Sequence, residues 1–215
     1  MFINASTESI SVTTDWTRAP LDRIEAVARY PVALIGDIQR RMGMMASAIR
    51  PMTRHARFHG TILPVLTREG DNLAIHRALD DAVPGDVLVI NGNSEVNRAV
   101  FGDLLAEICL ARGIAAVVID GAVRDVEEIE GLGLPVFARA VNPAGPSKTG
   151  PGTVGIPVAC GNVVCNPGDA IIGDRDGIIV ISRGDLVAHA TKIVEQEAFE
   201  STLRTSIRES TQKDA

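Results

Sequence analysis

The sequence predicts an α/β fold, a single domain with a partly parallel sheet, a β-meander and packed helices. Three observations lead there. Two buried apolar runs, residues 87–90 and 114–119, flank an amphipathic segment, 100–111, that Gly113 closes. Strand, helix and strand in that order predict a right-handed crossover and a parallel pair. Further on, short β-like runs joined by glycine-bearing turns read as a meander, and a charged helical pattern runs from Gly184 to about Glu209.

In chain order, residues 1–16 are polar and read as an irregular arm, and residues 17–210 as the domain. Leu21, Ile24, Val27 and Ala28 recur at helical spacing after Pro20, so 19–30 is a helix. A short apolar run at 32–35 and the segment 36–41 come next. Phe58, Gly60, Ile62, Pro64 and Leu66 share one face of an extended stretch, and Pro64 places that strand at a sheet edge. Residues 71–82 read as a helix, Pro84-Gly85-Asp86 as a turn and 91–97 as a polar loop. A short helix at 127–132 precedes a strand at 135–140. The Pro/Gly-rich stretch 142–152 can continue neither structure. The meander then takes 154–159, 162–165, 170–172 and 177–181.

Composition narrows the function. The chain has 215 residues, 46% hydrophobic and 22% charged, enough for one sizeable core. Aromatics are only 3%, so Val, Ile, Leu and Ala must build it. A net charge of -6 and a pI near 5.2 argue against a nucleic-acid partner. No apolar run approaches the ~20 residues that cross a bilayer, and no signal peptide is expected. Three cysteines (Cys109, Cys160, Cys165) without Cys-x-x-Cys spacing point to a reducing compartment, the cytoplasm.

The candidate chemistry centres on Arg124-Asp125, just past the second buried run. A guanidinium beside a carboxylate at the carboxyl end of a parallel strand stands where open α/β sheets bind ligands. The alternative is that Asp125 caps a helix whose first turn carries Glu127 and Glu128. Gly102-Asp103 stands at a helix start, where free N–H groups suit a ligand carboxylate. Gly-Asp occurs seven times, however, so the dipeptide alone also reads as turn punctuation. Arg175-Asp176 looks similar but is followed by Gly177 between two short strands, a hairpin turn.

Other polar residues fit less well. His55 and His59 need not share a face on an extended stretch, and His76 and His189 read as helix-surface or packed histidines. The cysteines read as small core residues. Lysine occurs only at 148, 192 and 213. Lys148, in an open loop, can steer or clamp an anion but is poorly placed for the burial that an imine-forming amine needs. A metal is therefore favoured as electron sink.

The run Gly102-Asp103-Leu104-Leu105, then Val117-Val-Ile-Asp-Gly-Ala-Val-Arg124-Asp125-Val-Glu-Glu128, resembles the 4-hydroxy-4-methyl-2-oxoglutarate and 4-carboxy-4-hydroxy-2-oxoadipate aldolases of the RraA-like family. The likeness extends through Pro84-Gly-Asp, Lys148-Thr-Gly-Pro-Gly152 and Asp176-Gly-Ile, and covers most of residues 30–210. The aldolases carry an acid, twenty residues, an Arg-Asp pair and a trailing acid. Here these are Asp103, residues 104–123, Arg124-Asp125 and Glu128. Non-catalytic RraA-type regulators, which bind a ribonuclease or helicase, typically lack the first acid.

The resemblance implies a β/β/α swivelling-domain fold and a class II aldolase that uses Mg²⁺ or Mn²⁺. Asp125 would hold the metal directly and Asp103 through a water. Arg124 and the amides of Gly102, Asp103, Leu104 and Leu105 would grip a small 2-oxo acid. A C-terminal glutamate, with Glu200 preferred over Glu195 and Glu197, would complete the site across a subunit interface of a trimer or a dimer of trimers. Oxaloacetate decarboxylation is the implied side activity.

Overall fold

The computed structural model describes residues 6–213. Strand β1 (Ile10–Val12) and helices α1 (Leu21–Ala28) and α2 (Val32–Ile38) lead through β2 (Arg50–Pro51) into the long β3 (Phe58–Thr67). Helix α3 (Leu73–Asp81), β4 (Asp86–Phe101), α4 (Asp103–Ala111), β5 (Ala116–Val123), α5 (Val126–Leu132) and β6 (Val136–Val141) then alternate. After β7 (Gly152–Val154) come the hairpins β8 (Val158–Cys160) with β9 (Val163–Cys165) and β10 (Ala170–Asp174) with β11 (Gly177–Ile181). The long helix α6 (Leu186–Lys213) closes the described chain.

Alternating strands with helices makes β3, β4, β5 and β6 neighbours in one parallel sheet. Antiparallel partners extend it: β7 and β10 both pair with β3, and β2 pairs with β6. The result is the mixed α/β single domain that the sequence predicts. Successive strand side chains alternate faces, and both faces here are covered. Leu63, Leu88, Ile90, Val117 and Ile119 pack beneath Leu79, Leu105 and Ile129 of α3, α4 and α5. Ile62, Val87, Val89, Val118 and Phe137 face Cys160 and Cys165 on the other side. A third cluster joins Ile24 and Ile35 to Ile179, Leu186 and Ile193.

Several elements differ from expectation, each for a physical reason. The supposed arm contributes β1, which pairs in parallel with β7 and buries Ile10; residues 1–5 lie outside the described ones. The run at 32–35 and part of the segment after it form one helix, α2. Pro64 does not mark an edge, because β3 is interior. It falls between the stretches of β3 that pair with β10 (Phe58–Thr61) and with β7 (Val65–Thr67). There its carbonyl accepts from the Gly155 amide at 3.0 Å, and no ladder bond requires a Pro64 N–H.

The polar loop at 91–97 is also part of a strand. β4 continues to Phe101, and its register against β5 slips between Asn91 and Glu95, again before Ala99 and again before Phe101. Such bulges leave residues unpaired, which polar side chains tolerate. Asn93 and Ser94 take positive φ (57° and 59°), and Ser94 donates to Asp120 Oδ1 at 2.8 Å, while Arg139 grips both oxygens of that carboxylate. The following helix accordingly starts at Asp103 rather than at residue 100. The meander is two separate hairpins: β8–β9 stands alone, and β10–β11 joins the main sheet at β3.

Candidate functional site

The last paired residues of β4 and β5 are Phe101 and Val123, and the Arg124 amide donates to the Phe101 carbonyl at 3.0 Å. Two neighbouring parallel strands therefore end together, and Gly102-Asp103 and Arg124-Asp125 leave the same edge of the sheet. Asp125 adopts the left-handed conformation (φ 56°, ψ 41°), uncommon for non-glycine residues, among which asparagine and aspartate adopt it most readily. Its carboxylate makes no capping bond to α5. Instead Oδ2 lies 3.1 Å from Arg124 Nε and accepts from the Asp103 amide at 3.4 Å. It thus sits against the N-terminus of α4, where the helix dipole favours negative charge.

Gly102 permits this close approach. Its backbone is extended (φ -153°), so conformational freedom is not the issue. A Cβ there would collide with Asp125 Oδ2 and stand 3.2 Å from Arg124 Cγ and Nε. In front of these residues is a cavity of about 230 Å³. Gly102, Asp103, Leu104, Leu105 and Arg124 line it, with Asn72 just before α3, His76 of α3 and Lys148 of the loop after β6. The sequence-predicted residues 102 to 105 and 124 thus border one space, and Asp125 contacts two of them.

A family model described as RraA-like, Aldolase/RraA, matches residues 24–180. The chain belongs to this RraA-like family. It is 36% identical over 168 residues to a Halalkalibacterium halodurans protein named "Putative 4-hydroxy-4-methyl-2-oxoglutarate aldolase", covering 78% of this chain and 80% of that one. It is also similar to the structure of the RNA-processing inhibitor RraA from Thermus thermophilus, with TM-score 0.66 and 27% identity over 71% of this chain and 92% of that one. The fold matches more broadly that of Streptomyces coelicolor RraAS2, described as an unusual member of the RNase ES inhibitor RraA protein family. There the TM-score is 0.79 at 23% identity, over 88% of this chain and 98% of that one.

Within this RraA-like chain some expected residues stand elsewhere. Glu200 does not reach the cavity of its own chain. It lies in a groove between α2 and α6, 2.8 Å from Arg204 Nη2. Glu128 is exposed on α5. His55 is exposed and His59 half-buried, and among the described residues no three His, Cys, Asp or Glu side chains converge as metal ligands. Arg175-Asp176 forms the expected two-residue turn between β10 and β11. All three cysteines are buried, and burial raises each thiol well above its ordinary value, which removes them as nucleophiles.

His76 is the residue whose place the sequence conceals. The helical pattern marks it only as a helix-surface or packed histidine, and it is indeed packed, at 7% exposure, but against the cavity. Neither ring nitrogen has a hydrogen-bond partner, and neither does Oδ1 of Asn72, one helical turn earlier. Burial, then the charge of Lys148, push the imidazole down to about 4, so it is neutral near pH 7. The available signal was Asn72 and His76 at i,i+4 on a helix that begins beside the site's sheet edge.

Proposed function

We propose that the chain is a divalent-metal-dependent aldolase. It cleaves 4-hydroxy-4-methyl-2-oxoglutarate or 4-carboxy-4-hydroxy-2-oxoadipate, giving pyruvate plus pyruvate or oxaloacetate. The observation that carries this reading is that Asp103 and Arg124 line one cavity while the adjoining Asp125 carboxylate meets the Arg124 guanidinium and the Asp103 amide. Two carboxylates with no third protein ligand among the described residues fit Mg²⁺ or Mn²⁺, hard cations that keep several waters. Asp125 would hold the ion directly, Asp103 through a water and Glu200 from a second copy of the chain. When bound, the ion supplies Lewis acidity at the C2 carbonyl.

The chain's own residues divide the remaining work. The carboxylate of the 2-oxo end would replace the Asp125 and Asp103 carboxylates that now accept from the Asp103 and Leu104 amides at the start of α4. Asp103 orients the water that takes the proton from the C4 hydroxyl. As C3–C4 breaks, its electron pair moves towards C2 and charge grows on the C2 oxygen, where Arg124 stabilises it. The same water returns a proton to C3, giving pyruvate. In oxaloacetate the bond broken is that to the C4 carboxylate, so the same residues would support its decarboxylation.

The test is pyruvate release from a panel of 4-hydroxy-2-oxo acids and oxaloacetate, coupled to lactate dehydrogenase, with and without EDTA. Turnover that survives chelation would overturn the metal mechanism. Arg124→Lys keeps the charge but loses the planar fork, and kcat is expected to fall by about 10²–10³-fold. Gly102→Ala pushes on Asp125 and Arg124 without straining the backbone. It is expected to cost about 100-fold in kcat/KM, the scale of a 1 Å misplacement, with little change in Tm.

The 27% identity to an RNA-processing inhibitor supports a second reading, a non-catalytic regulator. It requires no turnover of any oxo acid and a stable complex with a ribonuclease or helicase, measurable by calorimetry. The acidic balance, at -6, disfavours nucleic acid as the partner under either reading. Among the described residues no helix is long and apolar enough to cross a membrane. Phe199, Leu203 and Ile207 form an exposed apolar stripe on α6, at 64%, 50% and 55% exposure, which supports assembly into a trimer or hexamer.

A further inference from the structure

We propose that the loop between β6 and β7 sets the guanidinium of Arg124, with Gly145 as the positioning residue. This rests on the aldolase reading, in which Arg124 stabilises charge on the C2 oxygen, and gives a role to a residue which that reading leaves unassigned.

Arg124 runs between two glycines. A Cβ at Gly102 would stand 3.2 Å from Arg124 Cγ and Nε, and one at Gly145 would stand 3.0 Å from Nη1 and 3.9 Å from Cζ. One glycine thus meets the root of the guanidinium and the other its tip. Neither has a positive φ, so neither backbone calls for glycine. Beyond its chain neighbours, Arg124 is the one group among the described residues within 4 Å of a Cβ at 145. Nε lies 3.1 Å from Asp125 Oδ2, and Arg124 and Gly145 line the same cavity. A contact at each end of a planar fork limits its tilt, which a single ion pair at Nε does not.

The loop is anchored on both sides of Gly145. The Asn142 amide donates to the Val123 carbonyl at 2.9 Å, directly before Arg124, and the Ala99 amide donates to the Ala144 carbonyl at 2.8 Å. The Asn142 side chain braces the turn: Oδ1 accepts from the Ala144 amide at 2.9 Å and Nδ2 donates to the Val96 carbonyl at 3.2 Å. On the far side the Ser147 amide donates to the Gly70 carbonyl at 2.8 Å. The fully buried Asp71 carboxylate accepts from the Ser147 hydroxyl at 2.8 Å and from the Thr149 and Gly150 amides at 2.8 and 3.1 Å. Pro143 and Pro146 bracket Ala144-Gly145 and fix φ on either side. A methyl at 145 therefore moves the free end of Arg124 rather than the loop.

The test measures kcat and KM for 4-hydroxy-4-methyl-2-oxoglutarate with the Mg²⁺-loaded full chain, Gly145→Ala, Arg124→Lys and the double variant. Alone, Gly145→Ala is expected to lower kcat about tenfold and to change KM less than about threefold, the scale of a displacement below 1 Å. Lysine has no Nη1 for the new methyl to meet. In the Arg124→Lys background the same substitution should therefore cost less than about twofold. A readout independent of turnover is the Arg124 Nε–H signal of the ¹⁵N-labelled chain, identified by its disappearance in Arg124→Lys. Gly145→Ala should shift it while Tm stays within a few degrees. Asn142→Ala releases the Ala144 amide and should shift the same signal; Asn142→Asp keeps that acceptor and should restore it.

Equal losses in both backgrounds overturn the proposal, because a methyl that merely crowds the cavity acts whatever stands at 124. An unmoved Nε–H signal overturns it too. The Asn142 variants carry the test should Gly145→Ala fail to fold. A wild-type chain that turns over no oxo acid refutes the aldolase reading instead, and the Nε–H signal then still reports whether Gly145 positions Arg124.

Discussion

Asp125→Asn is expected to reduce divalent-dependent pyruvate release by at least about 100-fold while moving Tm by no more than a few degrees. Asparagine is nearly isosteric with aspartate and is among the few residues that tolerate the left-handed conformation required at φ 56°. The backbone turn that ends β5 and starts α5 should therefore persist. The charge does not. An amide oxygen is a weaker ligand for a hard cation, and the amide nitrogen turns a donor towards the Arg124 guanidinium and the Asp103 N–H, both of which need an acceptor.

Stability should change little, because the Arg124–Asp125 pair is partly solvated, at 38% and 31% side-chain exposure, and such pairs contribute little. Steady-state assays across a Mn²⁺ titration, with thermal melts of the same samples, separate the two effects. Wild-type-like activity in a well-folded Asp125→Asn protein would remove the carboxylate from the mechanism. Asp125→Ala is less clean, since it also strains the backbone.

The parallel core was legible because its signal is local and strong. Residues 87–90 and 116–119 are continuous aliphatic runs, and a strand buried on both faces has no alternation to disguise it. The meeting of Asp103 with Arg124 and Asp125 was legible for the same reason: a parallel pair brings the residues just beyond its two carboxyl ends to one edge. The bulged half of β4 was not. Asn91-Gly-Asn-Ser-Glu95 has a loop's composition, and partners distant in sequence keep it in the sheet: Ser94 donates to Asp120, Asn93 Nδ2 to the Thr67 carbonyl at 3.0 Å, and Glu95 pairs with Gly121. Pro64 misled because its edge preference holds only where the partner strand is continuous, and β3 exchanges one partner for another at that point. His76 was hidden because a lone histidine on a helix carries no sign of which neighbour it will face. Glu200 could not be placed from one chain at all, since the groove it occupies is remote from the cavity.

Asp71 is where fold and site depend on one another most closely, and Asp71→Asn should show it. This carboxylate is fully buried, and besides the loop 147–150 it accepts from the Leu73 amide at 2.9 Å, which fixes the start of α3. Burial pushes its pKa up. The amides of Thr149 and Leu73, the Ser147 hydroxyl and the Gly150 amide outweigh that and hold it below 3.8. An asparagine must turn two N–H donors onto groups that are already donors, a loss of about 3 kcal/mol. In a domain of this size that lowers Tm by roughly 6–12 °C.

The depressed value sets the sign of the acid response. Because the folded carboxylate holds its proton less tightly than the unfolded one, the stabilisation is complete above pH 3.8 and is lost as pH falls through the lower folded value. His76, with its pKa lowered from 6.5 to about 4, acts earlier. The unfolded imidazole takes up a proton first, so stability erodes between pH 6.5 and about 4. Denaturant melts as a function of pH should show both limbs in the wild type. Asp71→Asn should shrink the limb below pH 3.8, leaving the part due to Asp120, which despite burial Arg139 also holds low, and keep the one above pH 4; His76→Leu should lose the limb above pH 4 and keep the one below pH 3.8. If Asp71→Asn matches the wild type in Tm and acid response, the buried carboxylate does not organise the Lys148 loop.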